Sequence, residues 1–243
     1  MASGHAGIFH FFRRTSGFTA GKALIRHFIE SILHKLPEKE AFVRHPGKRA
    51  AIREEKAEMR RQSLQLRHEV RSELRTHATH EALNHVEKHI PIPPGAIVAG
   101  YWPIGRELNV RPLLHHLVHH GHVVVLPFAR ERGIPLEFRE WHERHEMVLD
   151  GFQIPAPGPE ARVLVPDIML VPLLSFDRAG HRLGYSAGFY DVTLSHLRAH
   201  HKIIAVGVGF ASQEVPKVPV DENDQTLDYI VTEHGSVRIA EAS

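Results

Sequence analysis

Residues 167 to 176, DIMLVPLLSF, form an almost unbroken apolar run. A run of this length without in-and-out alternation is what a strand covered on both faces requires. Such a strand needs neighbours in the sheet and helices above and below it, and the rest of the chain supplies both. AIVAGYW, VRPLLHHLVHHG and HVVVLPF read as strand, helix and strand of one β-α-β unit, with Gly121 as the helix stop. LEFREW reads as a half-buried strand, YDVTLSHLRAH as a helix, KIIAVGVGF as another buried strand and LDYIVTE as a short last one. The expected fold is therefore α/β: a mostly parallel sheet flanked by helices on both faces, a Rossmann-like three-layer arrangement, with an N-terminal helical extension. In such sheets ligands sit beyond the carboxyl ends of the strands.

The 243 residues suit one large domain plus an appendage. We place the boundary after residue 50. Residues 1–50 hold nine Lys/Arg against three Glu, and within them Leu24, Phe28, Ile32 and Leu36 share one helical stripe. This reads as a basic amphipathic extension, and residues 51–243 as the globular body. The pI near 9.0 describes that leader more than the body, so it is a poor argument for nucleic-acid binding. RNA binding through the basic leader is a third reading. The absence of cysteine excludes disulfides, thiolate metal sites and Cys nucleophiles, and suits a reducing, cytoplasmic setting. No run of about 18 apolar residues occurs, so no membrane span is expected.

From Ala51 a long helix is expected, with Met59, Leu66, Val70 and Leu74 as its apolar stripe. Lys56, Arg60 and Arg67 recur on a second, basic face, which by pattern alone is a solvated one. Following the buried run comes FDRAGHRLGYSAGFYD. Its Asp-x-x-Gly, Asp177 to Gly180, is a turn signature. RLGYSAG then places Gly184 and Gly188 around small residues directly before a helix, where unpaired N–H groups favour phosphate. Arg182 offers a cationic fork, and Asp191 in the first helical turn can cap the helix or hold Mg²⁺.

PLLSFDRAGHRLGYSAGFYD, with REEKAEMRRQSLQLR upstream and VGVGFASQEVPKVPVDENDQTLDYIVTE downstream, resembles the 5-formyltetrahydrofolate cyclo-ligase family. The likeness includes GYWPIGRELNVRPLL and LEFREW and runs in order from about Ala51 to Glu233. It implies ATP-driven conversion of 5-formyltetrahydrofolate to 5,10-methenyltetrahydrofolate with release of ADP and phosphate. It implies that Lys56 and Arg60 meet ATP phosphates. It also implies that the loop Arg182, Leu183, Gly184, Tyr185, Ser186, Ala187, Gly188, Phe189 and Tyr190 wraps the nucleotide. Tyr185 to Phe189 would also touch the substrate's formyl region. Asp191 and Asp224 match the family's Mg²⁺ ligands, while Trp102 and Glu107 match its folate contacts. The partners implied are 5-formyltetrahydrofolate and ATP, acting on a monomer or weak dimer. Without the resemblance, Glu107 reads as an exposed acid, Trp102 as a core residue and Asp224 as a turn residue.

Two departures from the family pattern bear on activity: Ser186 stands where the loop usually has Gly, and Val192 where a basic residue is usual. If position 186 needs φ > 0, Ser costs about 1 kcal/mol there. The alternative that Ser186 and the basic leader motivate is a non-catalytic member that binds folate, nucleotide or a partner. His115, His116, His119 and His120 contain i, i+4 pairs, but Leu113, Leu114, Leu117 and Val118 claim the buried face and no acidic third ligand has obvious spacing. These imidazoles are expected to face water, and HERHE does not reproduce the HExxH spacing.

Overall fold

A computed structural model describes residues 46–69, 72–185 and 188–240. The leader stripe Leu24 to Leu36, Val70, Ser186 and Ala187 lie outside the described residues, as does the side chain of Leu74. The first helix, α1, runs Pro46–Glu69. It starts before Ala51 because a proline has no helical N–H to lose in the first turn. Helix α2 follows at Ser72–His89. Then come β1 (Ile97–Ala99), α3 (Arg111–His119), β2 (Val123–Phe128), β3 (Glu137–Glu140), β4 (Met147–Leu149), β5 (Pro155–Pro157) and β6 (Ile168–Pro172). The chain continues with β7 (Ser175–Phe176), β8 (Arg182–Leu183), α4 (Phe189–Arg198), β9 (Ile204–Val208), β10 (Tyr229–Thr232) and β11 (Gly235–Arg238).

Seven of these strands make one sheet in the order β11-β10-β9-β6-β1-β2-β3. The five central strands are parallel, and β3 and β11 are added antiparallel at the two edges. The apolar run behaves as its composition demands. Ile168 and Leu170 enter a core shared with α2 and α3, and Met169 and Val171 enter a second core under Leu194 and Leu197 of α4. Both faces are therefore covered, as expected for a three-layer α/β domain.

The run does not continue as one strand to Phe176. It leaves the sheet after Pro172, and Leu174 N–H pairs with Leu183 O at 2.8 Å, so Ser175 and Phe176 join β8 in a separate two-stranded ribbon. The turn of that ribbon closes as its Asp-x-x-Gly predicts, with Gly180 N–H on Asp177 O at 3.1 Å. Gly121 ends α3 with φ +81°, and its N–H reaches Val118 O. Gly100, directly after β1, is required by packing, because a Cβ there would sit 2.5 Å from a methyl of Leu114.

The apolar stripe assigned to the first helix is corrected. Leu66 is 51% exposed and Met59 only half-buried, whereas Lys56, Ser63 and Arg67 are the buried members of α1. The cationic face turns inward because acids on two other segments and a backbone carbonyl on a third lie beneath it.

Candidate active site

The site lies beyond the carboxyl ends of the central strands, where three loops meet α1. The loop after β1 carries Trp102 and Glu107; the segment from β8 to α4 carries Arg182 to Asp191; the segment before β10 carries Asp221 and Asp224. Lys56 Nζ donates to Asp221 Oδ2 at 2.7 Å and Asp224 Oδ2 at 2.5 Å. One turn on, Arg60 Nε donates to Gly184 O at 3.1 Å. Ser63 and Ser175 share a buried hydroxyl contact at 2.5 Å. Arg67 lies 4.0 Å from Glu107 Oε1, with its guanidinium 5.3 Å from the centre of the Tyr185 ring. At the other end of the stripe, Arg49 pairs with Glu222, and Arg49, Arg53, Asp221 and Asn223 line a shallow pocket. Residues spaced four, three and four apart on one helix thus reach three separate loops.

Burial at Asp221 pushes its carboxyl up, but the hydrogen bond from Lys56, the Asn223 N–H and the Lys56 charge outweigh this and hold it below the usual carboxylate range. Glu107 goes the other way. Its side chain is 7% exposed, and burial raises its carboxyl against the lowering effect of the Ile104 N–H, at 2.8 Å, and of Arg67. The same burial, reinforced by the Glu107 charge, raises the phenols of Tyr101 and Tyr190, which stay neutral. Glu107 is therefore a buried acid among aromatic rings rather than an exposed one. Trp102 packs partly buried against the core and receives Arg111 over its ring at 5.1 Å.

Arg182 has an internal task. Its side chain is 3% exposed, Nη1 donates to Gln225 O at 2.5 Å and Nη2 to Asp191 Oδ1 at 2.8 Å. Asp191 Oδ1 also accepts Gln225 N–H at 3.0 Å. The Asp224–Gln225 segment and the first turn of α4 are thereby fastened together. Gly188 precedes that helix with φ +68°, a left-handed conformation that favours glycine, and leaves the first-turn N–H groups without helical partners. Leu183 is buried and Phe189 packs edge-on against Phe152.

Asp221 and the inward aim of Arg67 are not singled out by sequence. The signal for Asp221 is its place three residues before Asp224, since one lysine can reach both acids. An acid without obvious spacing in sequence does reach the histidines: Glu143 lies 2.5 Å from His115 and 3.5 Å from His119. Among the described residues, no group of three or more His, Cys, Asp or Glu side chains is arranged to hold a metal ion, and no helix is long and apolar enough to cross a membrane.

Residues 52–233 match the model of the 5-formyltetrahydrofolate cyclo-ligase family. This chain belongs to that family. It is 32% identical over 157 residues to the 5-formyltetrahydrofolate cyclo-ligase of Escherichia coli K12, covering 63% of this chain and 86% of that one. It is 35% identical over 146 residues to the cyclo-ligase of Mycolicibacterium smegmatis, covering 57% and 74%. The solution structure of Aquifex aeolicus 5,10-methenyltetrahydrofolate synthetase superposes with a TM-score of 0.66 at 25% identity, over 77% of this chain and 94% of that one. The matched span runs from α1 to the end of β10, so the cyclo-ligase family region includes all three loops and the helix that joins them.

Proposed function

We propose that this protein is an ATP-dependent 5-formyltetrahydrofolate cyclo-ligase, with Lys56, Arg60 and the α4 N-terminus receiving the nucleotide phosphates and Glu107 the pterin. The observation that carries this reading is the single helix face that touches all three loops, because it puts cations between a buried acid and a pair of aspartates. A carboxylate accepts two N–H bonds from an amino-pyrimidine edge, and Trp102 and Tyr185 supply flat apolar cover for the ring. Tyr185 is 48% exposed, so its ring is available for that contact.

In the reaction, the formyl oxygen on N5 attacks the γ-phosphorus of ATP and ADP departs. N10 then attacks the activated carbon, loses its proton, and phosphate leaves as the five-membered ring closes. This chain's residues contribute position and charge. Lys56 and Arg60 neutralise phosphate oxygens, Arg182 holds Asp191 in place, and Glu107 fixes the ring so that the formyl oxygen faces the phosphate. No protein nucleophile is required.

The donor set suits Mg²⁺. Asp191 Oδ2 and Asp224 Oδ1 accept no hydrogen bond from the described residues, and both are hard oxygens on segments already joined through Gln225. Bound there with phosphate oxygens, the ion would neutralise charge on the transferring group. The deciding experiment mixes purified protein with 5-formyltetrahydrofolate, ATP and Mg²⁺ and follows the absorbance of the methenyl product. Well-folded protein that makes none would defeat the proposal.

A further inference from the structure

Arg67 presents a donor that nothing among the described residues satisfies. Its side chain is 4% exposed, and Nη1 has no hydrogen-bond partner. A buried polar group without a partner costs about 1–3 kcal/mol, and more when charged, so its persistence calls for a reason. Glu107 Oε1 is 4.0 Å from Nη1, beyond hydrogen-bond range. Glu107 spends Oε2 on the Ile104 N–H, and Oε1 has no donor among the described residues. A buried donor without a partner and a carboxylate oxygen with no donor among the described residues therefore stand 4.0 Å apart, too far to satisfy each other. The ring of Tyr185 lies against the Arg67 guanidinium, and Ile104 and Tyr185 are large apolar side chains left exposed beside this charged pair.

We infer that Arg67 is a further substrate-binding residue, whose Nη1 donates to the ring carbonyl oxygen of the pterin while Glu107 Oε1 accepts from the adjacent ring N–H. This rests on the reading of reduced folate as the substrate. The pterin edge offers N–H donors and then a carbonyl acceptor in sequence, which is the complement of an acceptor beside a donor. That carbonyl stands on the side of the ring that bears the formyl nitrogen. Arg67 thus sets the in-plane rotation of the ring, and with it the direction in which the formyl oxygen points. A ring with a donor in place of the carbonyl would leave Arg67 unpaired again and be rejected.

The test is calorimetric binding of 5-formyltetrahydrofolate in the absence of ATP, to the wild-type protein, Arg67→Met and Arg67→Gln, with ADP as a second probe. We expect Arg67→Met to weaken folate binding about 10- to 100-fold, the range for a hydrogen bond to a charged donor. ADP affinity should stay within about twofold. The loss should persist from mildly acid to mildly alkaline pH, because a missing donor does not return when Glu107 ionises. Arg67→Gln keeps a neutral N–H donor and should lose less, and it serves alone if Arg67→Met does not fold, with weakened folate but unchanged ADP binding as the supporting result. Three results overturn the inference: folate affinity unchanged, folate and ADP affinity reduced together, or folate affinity fully restored at alkaline pH. The last would make Arg67 only a counter-charge for Glu107, whose other titratable neighbours are Tyr101 and Tyr190. Wild-type protein that binds 5-formyltetrahydrofolate without making product would defeat the cyclo-ligase reading alone, and wild-type protein that does not bind it would defeat both.

Discussion

Lys56 Nζ donates to Asp224 Oδ2 at 2.5 Å, a contact spanning 168 residues of sequence. With Asp221 on the same ammonium, one cation balances two carboxylates that would otherwise repel each other. Replacing it tests both the scaffold and the proposed phosphate contact. Lys56→Met should lower stability by about 1–3 kcal/mol, since the three groups are partly screened by solvent. It should also lower kcat/KM about 100-fold or more if the ammonium stabilises the transferring phosphoryl group. Thermal melts and steady-state kinetics separate the two effects.

Asp221 should make stability depend on pH at the acid end. Its carboxyl is held below its ordinary value in the folded protein, so the stability it contributes is present above the unfolded value near 3.8 and is lost as pH falls through the lower folded one. Urea titrations of wild type and Asp221→Asn should therefore diverge at neutral pH and converge under strong acid. Curves that stay parallel throughout would show that the Lys56 contact contributes nothing.

Glu107 has the opposite sign. Burial raises its carboxyl above 4.5 in the folded chain, so the unfolded protein releases this proton first and ionisation of Glu107 subtracts stability as pH rises through the raised value. In the proposed site the pterin N–H groups call for the ionised form of Glu107 as acceptor. Folate affinity should fall on acidification at a pH above that of a free carboxylate, and Glu107→Gln should bind about 10- to 100-fold more weakly with a flat profile in that range. ADP titrations with the same variant should be unchanged.

Asp191→Ala removes one of the two partners of the buried Arg182 guanidinium. The expected cost is about 2 kcal/mol, less than for a fully buried pair because Asp191 keeps contact with solvent. The half-saturating Mg²⁺ concentration should rise in both Asp191→Asn and Asp224→Asn. An unchanged Mg²⁺ requirement in both would remove these residues from the proposed metal shell.

Two glycines should respond differently to alanine. At Gly188 a Cβ meets nothing within 4 Å, but φ is +68°, so Gly188→Ala should cost about 1 kcal/mol of backbone strain. At Gly100 the new methyl would lie 2.5 Å from Leu114 Cδ2, and Gly100→Ala should cost about 1–3 kcal/mol through overpacking. Denaturant unfolding ranks the two.

The central sheet is legible in the sequence because β6 and β9 are apolar on both faces, and alternate residues serve two cores. The edges are not. GSVR in β11 is half exposed along its length, and its assignment depends on pairing with Tyr229–Thr232. The β7–β8 ribbon is only two residues wide on each side, too short for any period to register. At the site, the glycines, the aromatic residues and the two aspartates proposed as Mg²⁺ ligands are singled out by local pattern and family resemblance. The inward turn of Arg67 is not, because α1 has two candidate stripes and only the positions of Glu107, Asp221 and Asp224, far away in sequence, decide which one turns inward.

A helix seated by ammonium and guanidinium groups, with Leu66 facing water, has few buried apolar contacts to hold it down. Its detachment would dismantle the catalytic pocket while the two apolar cores beneath remain shut. Loss of turnover should therefore precede loss of ellipticity on a urea ramp, the mark of a local undocking rather than a collapse of the whole domain.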